Sequence, residues 1–171
     1  MRIALLAALW LITAPAAAQQ QWTVEKVFPV AISWIERNST YKNIPPVKYW
    51  MELSQDEISA RLTREGSAHV YAEALYECSS QTLILRKDMK PGNIATWGII
   101  IHELTHHAQC VNGKMGGERC ALEREAYSLQ AEYYRQTAAA PANAANAKEI
   151  AAKGEQFAKI ADDVCDRLKQ R

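Results

Sequence analysis

Residues 101–110 read IHELTHHAQC. His102 and His106 stand four apart, and Glu103 directly follows the first. On a helix, residues four apart lie one above the other, so both imidazoles aim at one point. Glu103 is rotated off that face and projects beside whatever the imidazoles hold. A carboxylate there can take a proton from metal-bound water instead of ligating, which is the mechanical sense of the H-E-x-x-H spacing. Thr105 and Gln109 share the general face of the two histidines, while Ile101, Leu104, Ala108 and Val111 can turn toward a core. The spacing therefore predicts a helix with one chemical face and one buried face. Asn93 is a good N-cap for it, and Asn112-Gly113 supplies a stop, which bounds the helix at about 94–111.

A catalytic zinc site takes three protein ligands and keeps one position open. The next stretch, CALEREAYSLQAEYYR (120–135), predicts a helix over about 120–137 and offers Glu123 and Glu125. Glu123 shares its face with Tyr127, Gln130 and Tyr134, beside an apolar stripe of Leu122, Ala126, Leu129 and Tyr133. Glu125 lies on the opposite flank, near Ser128 and Glu132. Periodicity leaves both flanks open to the third ligand. Two histidines and a carboxylate also suit Fe(II), but the Glu adjoining His102 and the Glu on the following helix favour zinc.

Further from the motif, residues 22–38 place Val24, Val27, Phe28, Ala31, Trp34 and Ile35 at helical spacing, with Pro29 expected to kink or split the helix. Val47–Met51 reads as a short strand. Ser54 and Glu57 fit a capping box ahead of a helix over 55–64. Residues 68–77 and TLILR (82–86) read as two strands of a hairpin, with His69 an ordinary strand residue. An Ala/Asn/Pro-rich connector (137–147) leads to a last amphipathic helix over about 147–169, burying Ile150, Phe157, Ala161, Val164, Cys165 and Leu168. Helices, a small sheet and further helices make an α+β domain over residues 19–171.

The first twenty residues carry Arg2, an apolar run from Ile3 to Ile12, Pro15 and a small-residue site at Ala16-Ala17-Ala18. That is the layout of a signal peptide, residues 1–18, too short in its apolar run to span a bilayer, which takes roughly twenty residues. Export, to a bacterial periplasm or the exterior, is the expectation, with no membrane attachment after cleavage. Net charge is +1, so nothing marks a nucleic-acid footprint. Four cysteines in an exported chain favour two disulfides. Cys110–Cys120 would close the short Gly-rich loop, leaving Cys78–Cys165 to tie the last helix to the sheet region.

HELTH followed after a short loop by ExxAY resembles the gluzincin metallopeptidases. In that class the third ligand is a Glu on the helix after the motif helix, commonly within ExxxD or ExxAD. Aligning Ala126 with that Ala implies Glu123 as the ligand, and Tyr127 stands where the class has an Asp that orients the first His. The resemblance implies a minimal zincin-like fold, a small antiparallel sheet whose edge strand packs on the motif helix, and TLIL as the strand along which an extended substrate lies. It covers roughly residues 70–135. HEL.HH.Q with E..AY..Q is also similar to a group of small secreted bacterial proteins of unknown function. The implied activity is zinc-dependent hydrolysis of a peptide or protein, with His102, His106 and Glu123 as ligands and Glu103 as general base. Tyr127, Tyr134 and His107 are the candidate donors to a developing oxyanion. The alternative is a non-catalytic zinc-binding exported protein serving as an interaction module.

Overall fold

A computed structural model describes residues 23–64 and 72–169. The expected signal peptide, the first residues of the expected strand 68–77 and His69 lie outside the described residues. The described chain is α+β: five helices, a short 3-10 helix and one three-stranded sheet.

Helix α1 (Val24–Asn38) buries Val24, Val27, Phe28, Ala31, Ile32 and Ile35. It runs unbroken through Pro29, so the helix is not split there. Pro29 is on the exposed side of the helix, so the Glu25 carbonyl that loses its i+4 donor can turn to water.

Strand β1 (Tyr49–Leu53) leads into α2 (Gln55–Arg64) through a reciprocal cap. The Ser54 amide and hydroxyl both donate to Glu57 Oε2, at 2.7 and 2.6 Å, and the Glu57 amide donates back to Ser54 Oγ. Strands β2 (Ala74–Glu77) and β3 (Thr82–Arg86) form an antiparallel hairpin with Leu75 opposite Ile84.

β1 pairs with β3 in parallel, giving the order β1-β3-β2. The sheet is therefore mixed, not antiparallel as expected. β3 is its centre, so TLIL is not an edge strand. The burial explains why: Leu83 and Leu85 enter the main core with α1 and the motif helix, while Ile84 packs with Ile58 and Leu62 under α2. A strand covered on both faces reads as a continuous apolar run. The edge strand that meets the motif helix is β2.

The motif helix, α3 (Ile94–Val111), begins at Asn93, whose side chain accepts from the Ala95 amide at 2.8 Å. It ends at Gly113, which takes the left-handed φ of 70° that its position requires. Ile100, Ile101, Leu104 and Ala108 are wholly buried in the main core. Helix α4 (Arg119–Ala139) and helix α5 (Ala147–Lys169) are joined by the 3-10 helix Pro141–Asn146, which occupies most of the expected connector. At Gly154 on α5 an added Cβ would lie 3.2 Å from the Ala131 carbonyl, so the two helix backbones run in close contact.

The disulfides are Cys78–Cys110 and Cys120–Cys165, in place of the expected Cys110–Cys120 and Cys78–Cys165. Cys110, in the last turn of α3, faces the β2–β3 turn, with its Cα 5.7 Å from that of Cys78. Cys120, in the first turn of α4, faces the far end of α5 instead, Cα to Cα 4.7 Å. The two cysteines flanking the Gly-rich loop thus look toward different neighbours, and the first and last turns of the α4–α5 pair are stapled together. Two disulfides fit a protein of an oxidising, extracellular compartment. Among the described residues no helix is long and apolar enough to cross a membrane.

Candidate metal centre

His102, His106 and Glu123 come together from two helices. Glu123 Oε2 lies 3.5 Å from His102 Nε2 and 3.7 Å from His106 Nε2, and one ligand atom from each of the three falls within 4.8 Å of the others. Two donors bound at ~2.0–2.1 Å to one ion at a near-tetrahedral angle stand about 3.4 Å apart. The spacing fits a shared ion, and these three residues could hold one.

The i, i+4 stacking of the imidazoles is visible in their ring centroids, 5.0 Å apart and nearly perpendicular. Each ring is held differently. His106 Nδ1 meets Gln109 Oε1 at 2.8 Å, so the ring donates there, and Nε2, turned toward Glu123, is the atom left to ligate an ion. His102 Nδ1 is buried and has no hydrogen-bond partner among the described residues. Its ring is held by packing on Tyr127, centroid to centroid 4.4 Å. Tyr127 in turn stacks on Phe157 of α5, and Phe157 stacks on Tyr134.

Burial alone would raise the Glu123 carboxyl, but hydrogen bonds from His102 and His106 dominate and hold it well below the usual carboxylate range. The converse applies at His106: burial lowers its pKa, while the Glu123 hydrogen bond and the Glu103 charge bring the ring up to about 9. Without a cation, the cluster is a buried ion pair.

Glu103 is 8 % exposed. Burial raises its carboxyl above the ordinary value, opposed by the neighbouring histidines and by a hydrogen bond from the Tyr76 backbone. That bond comes from β2, so the edge strand and the candidate base are in direct contact.

The cluster opens into a cleft of about 690 Å³. Ala74, Leu75 and Tyr76 of β2 form one wall, and Phe157, Ile160, Val164 and Leu168 of α5 form another. Of the three candidate oxyanion donors, Tyr127 lines this cleft. Burial keeps its hydroxyl protonated, with the pKa raised to about 12. Tyr134 is buried beneath Phe157, and His107 faces away from the cleft. His107 is wholly buried, between the Tyr76 hydroxyl and the Pro45 carbonyl, each at 2.8 Å.

Glu125, the other candidate ligand, points elsewhere. Its Oε2 accepts from the Tyr41 hydroxyl at 2.6 Å and from Gln109 Nε2 at 3.0 Å. Sequence reasoning assigned no role to Gln109, although its i+3 spacing from His106 is a usable signal. It also missed Tyr41, 84 residues from Glu125, and it read Phe157, Val164 and Leu168 of α5 as core where they line the cleft. Comparison of the chain with models of known protein families, with characterised proteins and with solved structures finds no match in any of the three.

Proposed function

We propose that this chain is an exported zinc-dependent hydrolase, a peptidase of gluzincin-like arrangement, delivered to a bacterial periplasm or secreted. One observation carries the reading: His102, His106 and Glu123 converge from two helices in the wall of a cleft that also holds Glu103 and the edge of β2. An interaction surface fixed by metal has no use for a buried carboxylate beside the ligands. A hydrolase does.

Zinc, when bound by these three residues, supplies Lewis acidity toward a carbonyl oxygen and lowers the pKa of water to roughly 7. The chain's own residues do the rest. Glu103 carries the proton, taking it from the attacking water onto its carboxylate and returning it to the leaving amine nitrogen. Its raised pKa suits a group that must hold a proton between the two transfers. The outer edge of β2 orients an extended peptide along the cleft, and the apolar α5 wall excludes water from the far side. The Tyr127 ring keeps His102 facing Glu123.

The test is zinc content by elemental analysis beside a peptide-library cleavage assay. The native chain should carry about one zinc, in keeping with a single three-ligand site, and His106→Ala should carry none. Glu103→Gln should retain zinc and fold while losing about 10²- to 10⁴-fold in hydrolysis. A native chain that takes up no zinc would sink the reading. Zinc binding with no difference between native and Glu103→Gln would leave a non-catalytic metal protein.

A further inference from the structure

His106 is oriented by a chain of side chains that reaches across the molecule. Gln109, wholly buried, bonds on both sides of its amide. Its Nε2 donates to the Leu122 carbonyl at 2.9 Å and to Glu125 Oε2 at 3.0 Å, and its Oε1 faces His106 Nδ1 at 2.8 Å. Both partners of Nε2 are acceptors without a proton to give. Turning the amide over would set Oε1 against a carbonyl and a carboxylate, leaving three buried acceptors facing one another, which is costly away from water. Gln109 therefore has one orientation, and in that orientation it can only accept from His106.

Glu125 is fixed in its turn. Tyr41 follows the end of α1 and is nearly wholly buried, and its hydroxyl donates to the same Glu125 oxygen at 2.6 Å. Burial and the neighbouring carboxylate both push the Tyr41 pKa upward, so the proton stays on the hydroxyl. Glu125 Oε2 thus accepts from both Tyr41 and Gln109, and Gln109, its Nε2 committed to two acceptors, accepts from His106.

Resting on the metal-site reading above, we propose that Tyr41, Glu125 and Gln109 are positioning residues that lock His106 as its Nδ1–H tautomer, keeping the Nε2 lone pair turned toward Glu123 and His102 for a shared metal ion. Metal-ligating histidines depend on such a partner for ring orientation and basicity. The contrast with His102 sharpens the point. Among the described residues that ring has no bond at Nδ1, and it packs on an aromatic neighbour, so among them the lock acts on His106 and not on His102. Glu125, which shares helix α4 with Glu123, contributes to the site through Gln109 and not as a ligand.

The test measures zinc affinity by competition with a chromophoric chelator, on variants shown by near-ultraviolet dichroism to be folded. Gln109→Leu should weaken zinc by about 10- to 100-fold, and Tyr41→Phe by about 3- to 10-fold, the worth of one hydrogen bond. Glu125→Gln keeps an oxygen able to accept both bonds and should stay within about threefold of the native chain. Equal affinities across the folded variants would overturn the proposal. So would a Glu125→Gln loss as large as that of Glu123→Gln, which would make Glu125 a ligand. If Gln109→Leu does not fold, Tyr41→Phe against Glu125→Gln decides. A second readout needs no metal: long-range ¹H–¹⁵N correlation on the metal-free chain, at a pH where the His106 ring is neutral. The native ring should carry its proton on Nδ1, and Gln109→Leu should give a mixture. A native ring protonated on Nε2 would overturn the lock. A native chain that binds no zinc would remove the metal reading, while the tautomer measurement would still decide the lock.

Discussion

Tyr134 of α4 lies directly over Gly98 of α3. A Cβ built at Gly98 would come 2.7 Å from the Tyr134 ring, closer than packed atoms approach. The ring cannot step aside, because it is buried and stacked on Phe157. Gly98 is thus what lets α3 and α4 approach closely enough for Glu123 to face His102 and His106. Gly98→Ala should destabilise the fold by about 1–3 kcal/mol, the range for forcing extra volume into a packed site, although Ala is the better helix former. It should also weaken zinc binding, by moving the third ligand away from the first two. Urea unfolding followed by fluorescence, beside a zinc titration, checks both.

What could be read from sequence follows how local each determinant is. The Ser54–Glu57 cap, the Asn93 cap and the Gly113 stop are interactions within a few residues, and the helices they bound are where the sequence reading put them. The His102/His106 pair is equally local, being one turn of helix. Glu123 was singled out by a resemblance, since periodicity gave it only a weak preference over the more solvent-like flank of Glu125. What separates the two is Tyr41, a partner from the other end of the chain. The sheet followed the same rule. All four residues of TLIL are buried, the apolar three because α1 and α3 cover one face and α2 the other, and only tertiary packing tells a central strand from an edge. The cysteine pairing depended on which neighbour each of the two helices presents, so loop length was a poor guide.

The pairing itself is testable. Non-reducing peptide mapping should recover Cys78 with Cys110 and Cys120 with Cys165. The loops closed span sequence separations of 32 and 45 residues, for which chain-entropy arithmetic gives about 4 kcal/mol each, less any strain. The two removals should nonetheless differ in kind. Cys120→Ser with Cys165→Ser frees one end of the α5 wall, and should disturb the cleft and the aromatic stack on Tyr127 as well as lower the melting temperature. Cys78→Ser with Cys110→Ser should act on stability while leaving the α4–α5 seam in place. Thermal unfolding with a zinc titration separates the two cases.

Tyr127 supports His102 with its ring. Tyr127→Phe keeps the contacts with His102 and Phe157, and should hold zinc within about threefold of the native affinity, less than one ordinary hydrogen bond is worth. Tyr127→Ala removes the ring that packs on His102, an imidazole whose Nδ1 has no hydrogen-bond partner among the described residues. Zinc affinity should fall by about tenfold or more, as for other losses of a ligand's supporting group. If the phenylalanine variant loses as much as the alanine variant, the hydroxyl and not the ring is the support. Chelator competition on the two variants distinguishes them.

His107 should give the chain an acid-sensitive stability. Its ring is satisfied in the neutral form, with Nε2–H donating to the Pro45 carbonyl and Nδ1 accepting from the Tyr76 hydroxyl. Burial pushes its pKa below the ordinary value, the Pro45 bond opposing in part. A protonated ring would need the Tyr76 hydroxyl to reverse and would bring a charge into the core. The unfolded chain therefore takes up a proton near pH 6.5 that the folded chain refuses. Stability from this group is complete above that pH and is lost as pH falls, at up to about 1.4 kcal/mol per pH unit until the folded ring protonates. In the metal-free chain His106 runs the opposite way. Its pKa is raised to about 9, so its contribution is full below pH 6.5 and lost as pH rises through 9. Comparing native protein with His107→Gln in the presence of a chelator cancels the His106 term, because both carry it. The native chain should lose about 1 kcal/mol or more relative to His107→Gln between pH 7.5 and pH 5, measured by urea unfolding at each pH. Parallel curves would mean that His107 accepts its proton in the folded state, and that the Tyr76 hydroxyl reverses at little cost.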